Sequence, residues 1–209
     1  MSITQGVRRA LLGIAFLATS VSADGIDDAR TLWRTGKYAE AQEAFETLAK
    51  TPNLSPADSV RVAIGLAEVH DSQGQTEAVR KVLDSALAKN PRNADLHART
   101  AEARFSSGDW DGASASVASA LEIDKNHVGA KWVEARLLDA KGKIDPKGEV
   151  WKWFIDYQNR NQRTLAKDPD ALLIVGQAAE RYYRMVARGE QLSEALNDVI
   201  NETYESSLK

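Results

Sequence analysis

At 209 residues, with 43% hydrophobic and 27% charged side chains and only five prolines, the chain has material for one domain or a short repeat array with a continuous core. Its 30 acidic and 27 basic residues give a formal net charge of −3, which argues against nucleic acid or an anionic membrane as the main partner. There is no cysteine, which excludes disulfides, thiolate metal sites and a lipid-carrying cysteine after a leader, so packing alone must hold the fold.

Residues 1–23 have the build of a secretory signal peptide. Arg8-Arg9 form a basic start and Ala10 to Ala18 an apolar run, while Val21-Ser22-Ala23 offer small residues for cleavage. The run is too short to span a bilayer, and no polar stripe interrupts it as an amphipathic helix would require. The arginine pair faintly resembles a twin-arginine signal, but with no cofactor evident ordinary secretion is favoured. The expectation is export to the periplasm, cell envelope or extracellular space, a mature chain starting at Asp24, and no membrane anchor after cleavage. Losing Arg8 and Arg9 leaves the mature chain more acidic still.

From Asp24 onward the apolar residues recur at helical spacing in pairs of segments separated by glycine. In the first unit, 24–57, Ala29, Leu32 and Trp33 lie on one helix, Gly36 makes the turn, and Tyr38, Ala41, Phe45 and Leu48 lie on the next. Thr51-Pro52-Asn53-Leu54-Ser55-Pro56 then breaks the helix. The second unit, 58–91, carries Ala63, Leu66 and Ala67, turns at Gly74, continues through Val79, Leu83, Ala86 and Leu87, and closes at Asn90-Pro91. In the third, 92–125, Ala98, Ala101 and Phe105 precede Gly108, and Trp110 takes the place of Tyr38 ahead of Ala113, Val117, Ala120 and Leu121.

Residues 126–144 supply the first helix of a fourth unit, with Ala130, Trp132, Ala135 and Leu138 before Gly142. Beyond it, 145–209 read as degenerate repeats. A helix is predicted to start at Asp145-Pro146 and to carry Trp151, Trp153, Phe154 and Tyr157, which either fill a widened gap or form an exposed docking face. A fifth pair follows: Asp170 to Arg188, a turn at Gly189, then Leu192, Leu196, Val199, Ile200 and Tyr204 on one apolar face. No separate capping helix follows, so either this unit caps itself or the chain is the front part of a longer protein, the favoured alternative.

Gly74, Gly108 and Gly142 are spaced by 34 residues, and so are Ala67, Ala101 and Ala135. This period on a helix–turn–helix unit resembles the tetratricopeptide repeat, closely over Asp24 to Ile144 and thereafter only as helix pairs. The resemblance implies an all-α fold, a right-handed α-solenoid of about four to five repeats. It also implies a concave groove, lined by the first helix of each pair, that binds a protein or peptide partner. The matching positions are Arg30, Trp33 and Arg34; Ile64, Glu68 and Asp71; Glu102 and Phe105; and Trp132, Arg136 and Asp139. Trp33, Phe105 and Trp132 suit a core as well as a groove.

Catalytic motifs are missing from the sequence. His70, His97 and His127 fall at unlike positions in their units, and neither His-Glu-x-x-His, Gly-x-Ser-x-Gly nor a P-loop occurs. The expectation is a non-enzymatic interaction scaffold with no cofactor and no metal. The rival is an accessory segment of a larger secreted enzyme whose catalytic domain lies beyond Lys209. Carbohydrate binding through the tryptophans is a weaker third. Oligomeric state and partner identity are not legible.

Overall fold

The computed structural model describes residues 23–143 and 147–186. Among them every regular element is a helix: α1 (Ala23–Arg34), α2 (Tyr38–Ala49), α3 (Pro56–Ser72), α4 (Thr76–Lys89), α5 (Ala94–Ser106), α6 (Trp110–Ile123), α7 (Val128–Ala140), α8 (Glu149–Leu165) and α9 (Pro169–Val186). The predicted signal peptide and the final helix with Leu192 to Tyr204 lie outside the described residues.

The turns are built alike. At Gly36, Gly74, Gly108 and Gly142 the glycine N–H donates three residues back, to the carbonyls of Trp33, Asp71, Phe105 and Asp139. The next N–H donates five back, to Leu32, His70, Arg104 and Leu138. This closure satisfies otherwise unpaired end-of-helix carbonyls and needs a residue with positive φ; the four glycines have φ between 62 and 83°. Four of the odd-numbered helices start on side-chain caps: Ser55 accepts from the Asp58 N–H, Asn93 from Leu96, His127 from Ala130 and Asp168 from Ala171.

Packing follows the same period. Ala29, Ala67, Ala101 and Ala135 are each fully buried. Small side chains there let each odd-numbered helix lie against the next: α1 on α3, α3 on α5, α5 on α7, α7 on α9. Each of α2, α4 and α6 packs on its own partner and on the first helix of the following pair. Every hairpin thus buries one face against each neighbour, which it could not do alone. Tyr38 and Trp110, in register at the start of their helices, are both exposed.

The fourth unit departs from the expected register. Residues 144–146 lie outside those described, Lys147 stands in a turn and Gly148 has φ 65°, so α8 starts at Glu149 rather than at Asp145-Pro146. It packs mainly on α9 and only lightly on α7. Trp151 and Phe154 turn inward with Leu165 against Ala171, Leu172, Val175 and Ala178 of α9 and Ala135 of α7. That overturns an exposed docking face for Trp151 and Phe154: they are core, each 1% exposed. Trp153 and Tyr157 stack at the edge of this cluster, half-buried, with ring centroids 5.0 Å apart.

Candidate functional site: a concave groove

The odd-numbered helices turn one face toward a common interior, a groove with a cavity of about 910 Å³. Of the residues expected to line it, Arg30, Trp33, Ile64, Glu68, Asp71, Glu102 and Trp132 do so. Arg34 sits at the rim and reaches Asp170. Arg136 is not among the lining residues but is ion-paired to one of them, Glu102, with its guanidinium 4.3 Å from the ring centre of Phe105. Phe105 itself packs among Ala101, Val117 and Leu137, and Asp139 pairs with Arg181 of α9 at 2.8 Å.

Trp33 is held by its indole N–H, which donates to Ser72 Oγ at 2.9 Å. Trp132 meets Trp151 and Phe154 edge-on, so one side of its ring belongs to the core while the residue borders the groove. The core and groove readings of these two tryptophans therefore hold together, because a residue at a helix flank can serve both.

Equivalent positions of the four repeats, Arg30, Glu68, Glu102 and Arg136, form a ladder of charge down the inner face. All four are half-buried, and at Glu68 desolvation pushes the carboxyl above the usual range against the opposing pull of Arg30 and Arg99. Its Oε2 lies 4.0 Å from Arg30 Nη2. That oxygen and the Nε atoms of Arg30 and Arg99 are buried without a hydrogen-bond partner in the protein.

Several wall residues escaped the sequence reading. Arg61, Asp95 and Arg99 share the inner stripe of α3 and α5 with Ile64 and Glu102, and spacing by three or four residues could have placed them. Arg99 binds Asp71 at 2.7 Å, Arg61 binds Asp27 at 2.8 Å, and His127 Nε2 lies 2.9 Å from Asp95 Oδ1. The hydrogen bond from His127 holds the Asp95 carboxyl below its ordinary value. His70 is instead a buried helix-end residue bonded to Gln75, and His97 bonds the Pro91 carbonyl.

Tyr157, Asp168, Asp170 and Ile174 come from α8, α9 and the bend between them, which close the far side of the groove. Asp170 crosses the mouth to Arg34 at 3.0 Å and Arg30 at 3.4 Å. The helices α1 and α9 do not themselves pack together, so these side chains make the bridge. Among the described residues no group of three or more His, Asp or Glu is placed to hold a metal ion, and no helix is long and apolar enough to cross a membrane.

Stacked helix pairs in phase, with an inner groove, define an α-solenoid of helix–turn–helix repeats. The tetratricopeptide repeat profile matches residues 32–104 and 72–129, so that stretch is built of tetratricopeptide repeats. The fold is similar to that of TTC0263, a thermophilic tetratricopeptide-repeat protein of Thermus thermophilus, with a TM-score of 0.56 and 14% identity over 85% of this chain and 98% of the other. It is also similar to PilF of Pseudomonas aeruginosa, with a TM-score of 0.54 and 13% identity over 88% and 86%. No curated protein matches the chain.

Proposed function

We propose that this chain is an exported, non-catalytic scaffold that holds an extended peptide or a short partner segment in its concave groove. The observation that carries the reading is the groove itself: about 910 Å³, walled by Trp33, Ile64 and Trp132 beside fixed charges. Apolar anchors among a few oriented polar groups are what a recognition cleft needs. The unbonded Glu68 Oε2 and the Nε groups of Arg30 and Arg99 suit a ligand offering both donors and acceptors, as a peptide main chain does. Support for export is the sequence of residues 1–23.

Photo-crosslinking tests the groove. A benzophenone side chain at Ile64 should capture a partner in envelope extract, and one at the exposed Asp84 should not. Equal capture at both positions, or loss at neither when Trp33→Ala is added, refutes the reading. Export is tested by N-terminal sequencing from the native host, where the chain should begin at or near Asp24; an intact Met1 removes it.

A further inference from the structure

We propose that the groove selects a basic peptide segment and that Asp124 and Asp168 receive its lysine or arginine side chain. The inference rests on the groove reading above and adds the charge of the ligand.

The argument is one of charge complementarity. The wall carries seven carboxylates against three guanidinium groups, and the two further arginines that reach in from outside, Arg34 and Arg136, do not cancel the difference. The cations are already engaged within the chain. Arg30 and Arg34 hold Asp170, Arg61 holds Asp27 and Asp58, Arg99 holds Asp71, and Arg136 holds Glu102. An acidic ligand would meet cations already paired with carboxylates of the protein, with the Nε groups of Arg30 and Arg99 left to offer it.

The corner formed by the α6–α7 loop and the α8–α9 bend is different. There Asp124 Oδ1 accepts the Asn126 N–H at 2.9 Å, and Asp168 Oδ1 accepts the Ala171 N–H at 3.0 Å. Each carboxylate keeps its second oxygen, and among the described residues neither has a cationic partner. Both lie close enough to Tyr157 to act on it: its hydroxyl is pushed above its ordinary value by burial first, then by Asp124 and Asp168. Val128, Leu165 and Ile174 line the same region. The corner therefore offers uncompensated negative charge beside apolar surface, which fits a long aliphatic stem ending in a cation. The Tyr157 ring adds a face toward which a cation is drawn. The acid excess also steers cationic segments inward during encounter.

The test uses three synthetic octapeptide pools of identical degenerate composition, except that two central positions are fixed as lysine, glutamine or glutamate. Binding is measured by fluorescence anisotropy on the full chain. The lysine pool should bind most tightly. It should weaken about fivefold in the Asp124→Asn/Asp168→Asn double variant, the order expected for a charge pair made by exposed carboxylates. Asparagine keeps the oxygen that accepts the Asn126 and Ala171 N–H groups, so circular dichroism should be unchanged. The control Asp84→Asn, on the outer face of α4, should bind as the parent does. Tightest binding of the glutamate or glutamine pool, or a lysine-pool affinity that the double variant keeps, overturns the assignment. If Ile64→Glu abolishes binding of that other pool, the groove reading stands while the basic ligand falls. Binding of no pool defeats both.

Discussion

Gly65 decides how closely the first two repeats can approach, and replacing it with alanine sets two effects against each other. The residue is buried in the interior of α3, where alanine should gain about 0.8–1.0 kcal/mol in helix propensity. A Cβ at that point, however, would overlap the ring of Phe45 at Cζ and Cε1, and would lie 2.9 Å from Cε2. Carbon atoms prefer separations of about 3.5–4.0 Å, so the ring must move by more than a few tenths of an ångström. It has little room, because Phe45 is fully buried among Ile26, Ala29, Ala41, Val62 and Val69. Overpacking of this kind costs about 1–3 kcal/mol.

The steric effect should therefore win by up to about 2 kcal/mol in Gly65→Ala, which lowers the melting temperature by up to about 8 °C for a chain of this size. Circular dichroism melts and urea titrations would measure it. A second substitution separates the causes. In a Phe45→Leu background the clash is relieved, so Gly65→Ala should become neutral or stabilising, with a coupling of about 1 kcal/mol or more between the sites. A Gly65→Ala protein that melts higher than the parent would refute the reasoning, because it would mean the ring moves freely and the glycine is there for another reason.

Other consequences can be checked with the same protein. Gly108 has φ 83° and open space for 4 Å around the point where a Cβ would stand, so Gly108→Ala should cost about 1–2 kcal/mol through backbone conformation alone, and Gly108→Asn less; equal melts for all three would contradict this. Asp170→Asn should leave stability nearly unchanged, since exposed ion pairs contribute about 0–1 kcal/mol, yet release α1 from α9. With no native cysteine to interfere, spin labels attached through Lys37→Cys and Lys167→Cys should report a longer or broader distance in that variant and at about 1 M salt, where the screening length is about 3 Å; an unchanged distribution would dismiss the bridge. Asp95 is held below its ordinary value by His127, so its contribution is present at neutral pH and is lost as pH falls below about 3.9 toward the lower folded value. Asp95→Asn should therefore flatten the fall in urea midpoint between pH 5 and pH 3, and parallel slopes for variant and parent would count against it.

The regular half of the molecule was legible because two residue types are forced by geometry. Only glycine takes the positive φ of the turns without strain, and only a small side chain fits where consecutive odd-numbered helices touch, so both return with the repeat. Their phase carried Arg30, Ile64, Glu68, Glu102 and Trp132 onto the inner wall with no further information. Arg34, Phe105, Arg136 and Asp139 are instead taken up by Asp170, the core between α5, α6 and α7, Glu102 and Arg181, tertiary contacts that periodicity does not reveal. What could not be read was the side contributed by α8 and α9. The late start of α8 shifts it from α7 to α9, and that preference comes from how Trp151, Phe154 and Leu165 fit against Leu172 and Val175, a tertiary choice with no period.

That choice also shapes the groove. Had α8 followed the spacing of α2, α4 and α6, it would have formed an outer-layer partner for α7 and left the inner face open at that end. By pairing with α9 it brings the bend around Asp168 to face α1, and Asp170 reaches Arg30 and Arg34 from 136 to 140 residues away in sequence. The irregular unit thus bounds a surface that the regular units only line, and it supplies Asp168 and Tyr157 to the one corner where wall carboxylates stand, among the described residues, without cations. The proposed selectivity thus draws on both kinds of unit: Asp124 comes from the loop that ends the regular third repeat, and Asp168 and Tyr157 come from the irregular one.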